Sequence, residues 1–125
     1  MILGTGIDLI EVERVEASFA KFGDRFVKRI LHPDEIDYCL AHKKPGPFLA
    51  ARFAAKEAVS KAFGTGIGSA LGWHDIEIGK KPSGEPFVVL HGGGLTLLAE
   101  RGGRIVHLSL THTALHAAAV AILEG

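Results

Sequence analysis

A single cysteine, Cys39, is all the thiol chemistry this sequence holds. One thiol cannot close a disulfide within the chain, so a reducing compartment, the cytoplasm, is the natural setting. Net charge is missing too, because 14 basic residues balance 14 acidic ones. A neutral chain is a poor general binder of nucleic acid, and any basic site must be local. No apolar run is long enough to cross a bilayer; the longest, Ala114–Leu123, contains His116. The opening residues, MILGTGIDLIEVE, lack the basic-then-apolar order of a secretion signal. Repeats, low-complexity segments and long linkers are absent. No GxxxxGK followed by Ser or Thr occurs, and Gly64-Thr65-Gly66-Ile67-Gly68 follows a helical pattern where a dinucleotide fingerprint would open one. Histidines number seven, yet no HExxH and no cysteine pair accompanies them.

What is present suits one domain over residues 1–125, with 47% hydrophobic residues to build a core. Residues 1–8 read as a strand, with Leu3, Ile7 and Leu9 on one face and Gly4, Gly6 and Asp8 on the other. Residues 11–22 read as an amphipathic helix that turns Val12, Val15, Phe19 and Phe22 inward and stops at Gly23. Asp24 could cap a short helix to Leu31, with Phe26 and Ile30 inward. His32-Pro33-Asp34-Glu35 looks like a further helix start, running to about His42. Residues 47–63 form the strongest helical segment, rich in alanine and ended by Gly64, Gly66 and Gly68. Short strands follow at Ile76–Ile78 and Phe87–Leu90, separated by the Pro82–Pro86 turn. A helix spans Leu95–Arg101, and Arg104–Thr111 and Ala114–Leu123 form an antiparallel hairpin whose second strand is central. Helices and antiparallel strands come in mixed order, so the class is α+β, with helices packed on a mainly antiparallel sheet.

The chemistry concentrates in Arg52–Gly66, RFAAKEAVSKAFGTG. Glu57 lies among three cations there, Arg52, Lys56 and Lys61. At 100° per residue Phe53, Glu57 and Lys61 share one face. Phe48, Ala51, Ala55, Val59 and Ala62 lie opposite, and Arg52 and Lys56 occupy a flank. Glu57→Lys61 is the favourable order for an i,i+4 ion pair, and for an isolated segment that ordinary pair is the simpler reading. Asp8, after a strand and before a helix, reads equally as an N-cap or as a metal ligand. Two carboxylates among cations suit Mg²⁺ held together with an anionic, phosphorylated substrate. Between Arg14 and Arg29 there are five basic and two acidic residues. Arg14, Lys21, Arg25 and Lys28 make a stripe that is either a solvated face or a dock for an acidic protein.

Taken in order, GIDLIEVERV, RFAAKEAVSKAFGTGIG, WHDIEI and SLTHT resemble the short, stand-alone bacterial 4′-phosphopantetheinyl transferases, the holo-[acyl-carrier-protein] synthase family. The resemblance covers essentially the whole chain. It implies that family's fold and transfer of phosphopantetheine from coenzyme A to a serine of apo acyl carrier protein, with release of adenosine 3′,5′-bisphosphate. Carried over by motif, Asp8 and Glu57 would bind Mg²⁺, or Mn²⁺ in its place. Lys61 would offset charge on the leaving phosphate, and Asp8, Glu57 and Lys61 together would be the catalytic set. Arg52, Lys61 and the Gly64-Thr65-Gly66 turn would contact coenzyme A phosphates. Ser109 and His112 would belong to its pocket, with Pro86 near the adenine. Arg14, Lys21, Arg25 and Lys28 would meet the carrier protein. The family implies a homotrimer with sites at its interfaces, and a place in fatty acid biosynthesis. This sequence departs from the family's pattern at His91-Gly92-Gly93, which is richer in glycine, and at Glu85. Two other readings are a module that holds coenzyme A or an acidic partner without turnover, and a zinc hydrolase using His107, His112 and His116.

Overall fold

The architecture follows from how closely one helix can approach one strand. The computed structural model describes residues 1–125. In it, β1 (Ile2–Glu11) leads into three short helices, α1 (Val12–Phe22), α2 (Asp24–Ile30) and α3 (Pro33–Leu40). The long α4 (Gly46–Ala62) follows, then β2 (Ile76–Lys80), β3 (Pro86–Leu90), α5 (Gly93–Glu100), β4 (Ile105–His112) and β5 (His116–Glu124). All pairings are antiparallel, in two sheets where the patterning suggests one: β1-β5-β4, and the hairpin β2-β3. The central position of the last strand and its hairpin with β4 agree with the apolar pattern.

Helix α4 lies across the three-stranded sheet. Alanines 50, 51, 54, 55, 58 and 62 are buried along it, as are Ala117, Ala119, Ala121 and Leu123 of β5 beneath. Contact is closest at β1. A Cβ at Gly4 would collide with the Ala62 carbonyl, and one at Gly6 with the Ala58 carbonyl and the Lys61 Cβ. Only residues without side chains let this strand and helix backbone touch. Asp8 continues the same strand face and is carried to the helix with the glycines.

The apolar face of β1 is therefore the outer one. Ile7 and Leu9 remain 68% and 69% exposed. They continue onto the half-exposed Val120, paired opposite Ile7, and Ala118, paired opposite Leu9. Alternation in the sequence identifies two faces but not which one a helix covers. Phe22, expected inward, is 49% exposed, because α1 ends at Gly23 (φ 55°) and releases its last side chain to the surface. Asp24 does not cap α2; it is the first helical residue after Gly23 and makes no side-chain cap.

Substituting Gly6→Ala should destabilise the fold by roughly 2 kcal/mol or more, because the clashing atoms are backbone and cannot swing away. Gly68→Ala, where an added Cβ meets nothing within 4 Å, should be nearly neutral. Urea unfolding of both variants measures the difference.

Candidate active site

The glycine contact sets Asp8 in front of the last two turns of α4. Lys61 donates from Nζ to Asp8 Oδ1 at 3.1 Å and to the Ile7 carbonyl at 3.0 Å. The Asp8 side chain is only 16% exposed, against 48% for Lys61. Asp8 is not an N-cap: that position before α1 is Glu11, and Asp8 lies within the strand. The i,i+4 pair from Glu57 to Lys61 gives way to the Lys61–Asp8 pair across to the strand. Glu57 stands one turn back, half-buried. Burial and the nearby Asp8 charge push its pKa upward, and Lys61 opposes them. Two carboxylates thus share one ammonium, an arrangement short of positive charge. Oxygen donors of this kind, one on a strand and one on a helix, are chemically suited to a hard divalent cation such as Mg²⁺, which would supply that charge.

Arg52 and Lys56 have different work. Lys56 is fully buried, donating to Glu35 Oε1 at 2.8 Å, to the Ile30 carbonyl at 2.6 Å and to the Trp73 carbonyl at 3.2 Å. Burial pulls its pKa down, and Glu35 holds it up. Glu35, at the start of α3, also accepts from the Ile78 and His32 amides. Arg52 donates to the Ile78 carbonyl at 2.7 Å and stands 3.5 Å from Glu35. The flank of α4 that carries Arg52 and Lys56 is a buried hub joining α2, α3, α4 and β2. Removing one partner of such a hub strands a buried charge and costs about 3–5 kcal/mol. Its sequence trace is modest: an acid three residues into a helix start, and a lysine in an alanine-rich helix.

The exposed edge of Arg52 opens into a cavity with Tyr38, Phe48, Lys80, Pro86 and His112. Arg52, Pro86 and His112, expected from the resemblance to meet coenzyme A, are thereby brought together. Tyr38 and Lys80 were not singled out by the sequence. Lys80 donates to the Tyr38 hydroxyl at 3.0 Å, and Arg52 lies 4.6 Å over the Tyr38 ring. His112 meets Phe48 edge-on, with ring centroids 4.9 Å apart. Ser109 does not join them: it lies on the opposite face of β4, beside Ile7, Thr111 and Val120. Asp8, Glu57 and Lys61 are outside this cavity as well.

The Gly64-Thr65-Gly66 turn bends with φ of 80° and 67° at its glycines, which only glycine adopts freely. Its amides are spent on the helix end, Gly64 to the Lys61 carbonyl and Thr65 and Gly66 to that of Ser60. Those amides are therefore not free to cradle a phosphate. Arg101, unremarked in the sequence, ties this end of α4 to β1 by donating to the Phe63 and Leu3 carbonyls at 2.6 and 3.0 Å.

Arg14, Lys21, Arg25 and Lys28 are all exposed. Arg25 and Arg29 rim an apolar groove floored by Phe22, Phe26, Phe53 and Trp73. His107 is engaged by Glu124 at 2.8 Å on one face of β4 while His112 faces Phe48 on the other, so the three C-terminal histidines do not converge. Cys39 is buried, and burial raises its thiol pKa to about 11, leaving it protonated at neutral pH.

The family model of the 4′-phosphopantetheinyl transferase superfamily matches residues 4–120. A holo-[acyl-carrier-protein] synthase of Koribacter versatilis is 50% identical over 124 residues, covering 99% of each chain. The crystal structure of the Neisseria meningitidis synthase superposes with a TM-score of 0.92 at 37% identity, covering 100% of both chains. The Helicobacter pylori synthase, solved in complex with coenzyme A, gives a TM-score of 0.86 at 33% identity, covering 96% of this chain and 99% of that one.

Because folding raises the Glu57 pKa, the folded state holds that proton more tightly than the unfolded chain. Stability of the metal-free protein therefore falls as pH rises above the ordinary carboxylate range. Glu57→Gln should raise Tm of the metal-free protein at pH 7, and the gain should vanish near pH 4. Added Mg²⁺ should raise Tm of the parent and leave the variant unmoved. Thermal unfolding at the two pH values, with and without Mg²⁺, measures this.

Proposed function

This chain belongs to the 4′-phosphopantetheinyl transferase superfamily, among its holo-[acyl-carrier-protein] synthases, and from that premise we propose that it moves phosphopantetheine from coenzyme A to a serine of apo acyl carrier protein at Asp8, Glu57 and Lys61. The observation that carries the proposal is the convergence of Asp8 and Lys61 at 3.1 Å, with the electrostatically coupled Glu57 one turn away. In the reaction the serine Oγ bonds to the phosphorus next to the pantetheine arm. The bond from that phosphorus to the bridging oxygen breaks, and adenosine 3′,5′-bisphosphate leaves. Such a transfer needs positioning and charge neutralisation more than covalent help from the protein. Mg²⁺ bound to Asp8 and Glu57 would supply charge neutralisation to pyrophosphate oxygens. Lys61 presents its ammonium to the leaving phosphate. The serine proton passes to a carboxylate of this pair or to a water it orders. Arg52, Lys80 and His112 line the cavity for the nucleotide end, with Pro86 at its wall.

The carrier docks on the stripe of Arg14, Lys21, Arg25 and Lys28. Beside it, the Phe22, Phe26 and Trp73 groove takes the apolar side of an acidic helix. The working unit is a homotrimer. Ile7, Leu9 and Val120 give each chain an exposed apolar face suited to burial against a second copy. Ser109 on that face and His112 on the other enter one coenzyme A site only if two copies contribute to it. The single thiol, buried and protonated, suits a reducing cytoplasm.

Incubated with apo carrier protein, coenzyme A and Mg²⁺, the protein should add the phosphopantetheine mass to the carrier. Asp8→Asn or Glu57→Gln should slow this about 100-fold or more. Charge reversal at Lys21 or Arg25 should raise KM for the carrier and flatten its salt dependence. No mass gain under any metal condition would instead favour a module that binds without turnover. Light scattering should give three times the chain mass for the parent protein and one for Ile7→Asp/Leu9→Asp.

A further inference from the structure

The two positions at which the sequence leaves its family's pattern fare differently. Glu85 forms an exposed pair with Lys81 at 2.8 Å and needs no further account. His91 does not end so simply. It leaves β3 facing Glu77 of β2, and its Nε2 lies 2.8 Å from Glu77 Oε1. Across from them stands His32, the residue preceding α3, its ring centroid 5.0 Å from that of His91. One ligand atom from each of His32, Glu77 and His91 lies within 4.8 Å of the others, and all three residues are half-buried.

We propose that His32, Glu77 and His91 form a transition-metal site, of the two-imidazole, one-carboxylate type that Zn²⁺ accepts, separate from the Asp8–Glu57 pair. A histidine–glutamate hydrogen bond would account for two of these residues, and His32 adds a third donor. Its Nε2 lies 2.8 Å from the His74 carbonyl. A carbonyl can only accept, so Nε2 carries the proton and Nδ1 keeps the free lone pair. Metal-bound imidazoles are held in this way, by an outer carbonyl or carboxylate that fixes the tautomer. His91 is anchored as well, its amide donating to the Asp75 carbonyl at 2.8 Å. Zinc bonds nitrogen and oxygen at about 2.0–2.2 Å, which places tetrahedral ligand atoms roughly 3.3 Å apart. Zn²⁺ would draw the three ligand atoms in from within 4.8 Å to that spacing, and a water would complete four ligands. Two nitrogen donors favour Zn²⁺ over Mg²⁺. The site joins the residue before α3, the start of β2 and the residue after β3, so an ion here would clip the two-stranded sheet to the helical layer.

The test uses full-length protein freed of any affinity tag and stripped by a chelator. Zn²⁺ competition against a chromophoric chelator should find one equivalent per chain. His91→Ala, Glu77→Gln and His32→Gln should each weaken it at least tenfold, and Zn²⁺ should raise Tm of the parent but not of these variants. Glu77→Gln can still hydrogen-bond His91, so it loses charge and donor strength without losing the local contact. The Asp8→Asn/Glu57→Gln double variant should keep the zinc equivalent. Co²⁺ in place of zinc should give visible absorption that disappears in His91→Ala. Zinc affinity unchanged by the three substitutions, or lost with the Asp8/Glu57 pair, would overturn the proposal.

Discussion

Everything in this molecule rests on a backbone contact between α4 and β1. Gly4 and Gly6 let the strand lie against the carbonyls of Ala58 and Ala62. At any ordinary helix–sheet separation Asp8 could not meet Lys61, and the carboxylate pair would be two unrelated surface acids. The alanines of α4 serve the same end from the other side, keeping the helix thin where it crosses β5. Small residues here determine where charges meet.

The three cations of α4 show how position on one helix divides labour. Lys56 points into the protein and is consumed by Glu35 and two carbonyls. Arg52 is shared, half given to Ile78 and Glu35 and half to a cavity. Lys61, on the last turn, is the one that reaches β1. The buried hub holds α4 against α3 and β2, which keeps the last turn fixed relative to the strand. Structural and chemical charges are thus neighbours on one helix, separated by a rotation of a few residues.

Much of this was legible in the residue order. Strand and helix periodicities located every element to within a few residues, because long alternating or 3.6-spaced runs such as Ile105–His112 and Gly46–Ala62 leave little ambiguity. The pairing of Asp8 with the Glu57 region came from motif resemblance, since periodicity carries no information on which strand a helix covers. The burial of Arg52 and Lys56 was hidden for the same reason: both read as a charged flank until Glu35, distant in sequence, is seen to face them. Glycine carried the decisive signal in an unobtrusive form. Gly4 and Gly6 alternate with apolar residues that look like the core face, yet the bare positions are the ones the helix covers.

The strand that carries Asp8 has a further property. Its only hydrogen-bonded neighbour in the sheet is β5, the last strand of the chain. Every other element of the fold lies between these two strands in the sequence. Contacts between distant segments form slowly because a long loop must close before they repay the entropy. Helices α1 to α4 are closed by contacts local in the sequence, whereas the sheet pairing of the strand bearing the first carboxylate waits on β5. The meeting of Asp8 with Lys61 therefore depends on a long-range strand pairing as well as on the α4 contact, and the site assembles cooperatively with the sheet.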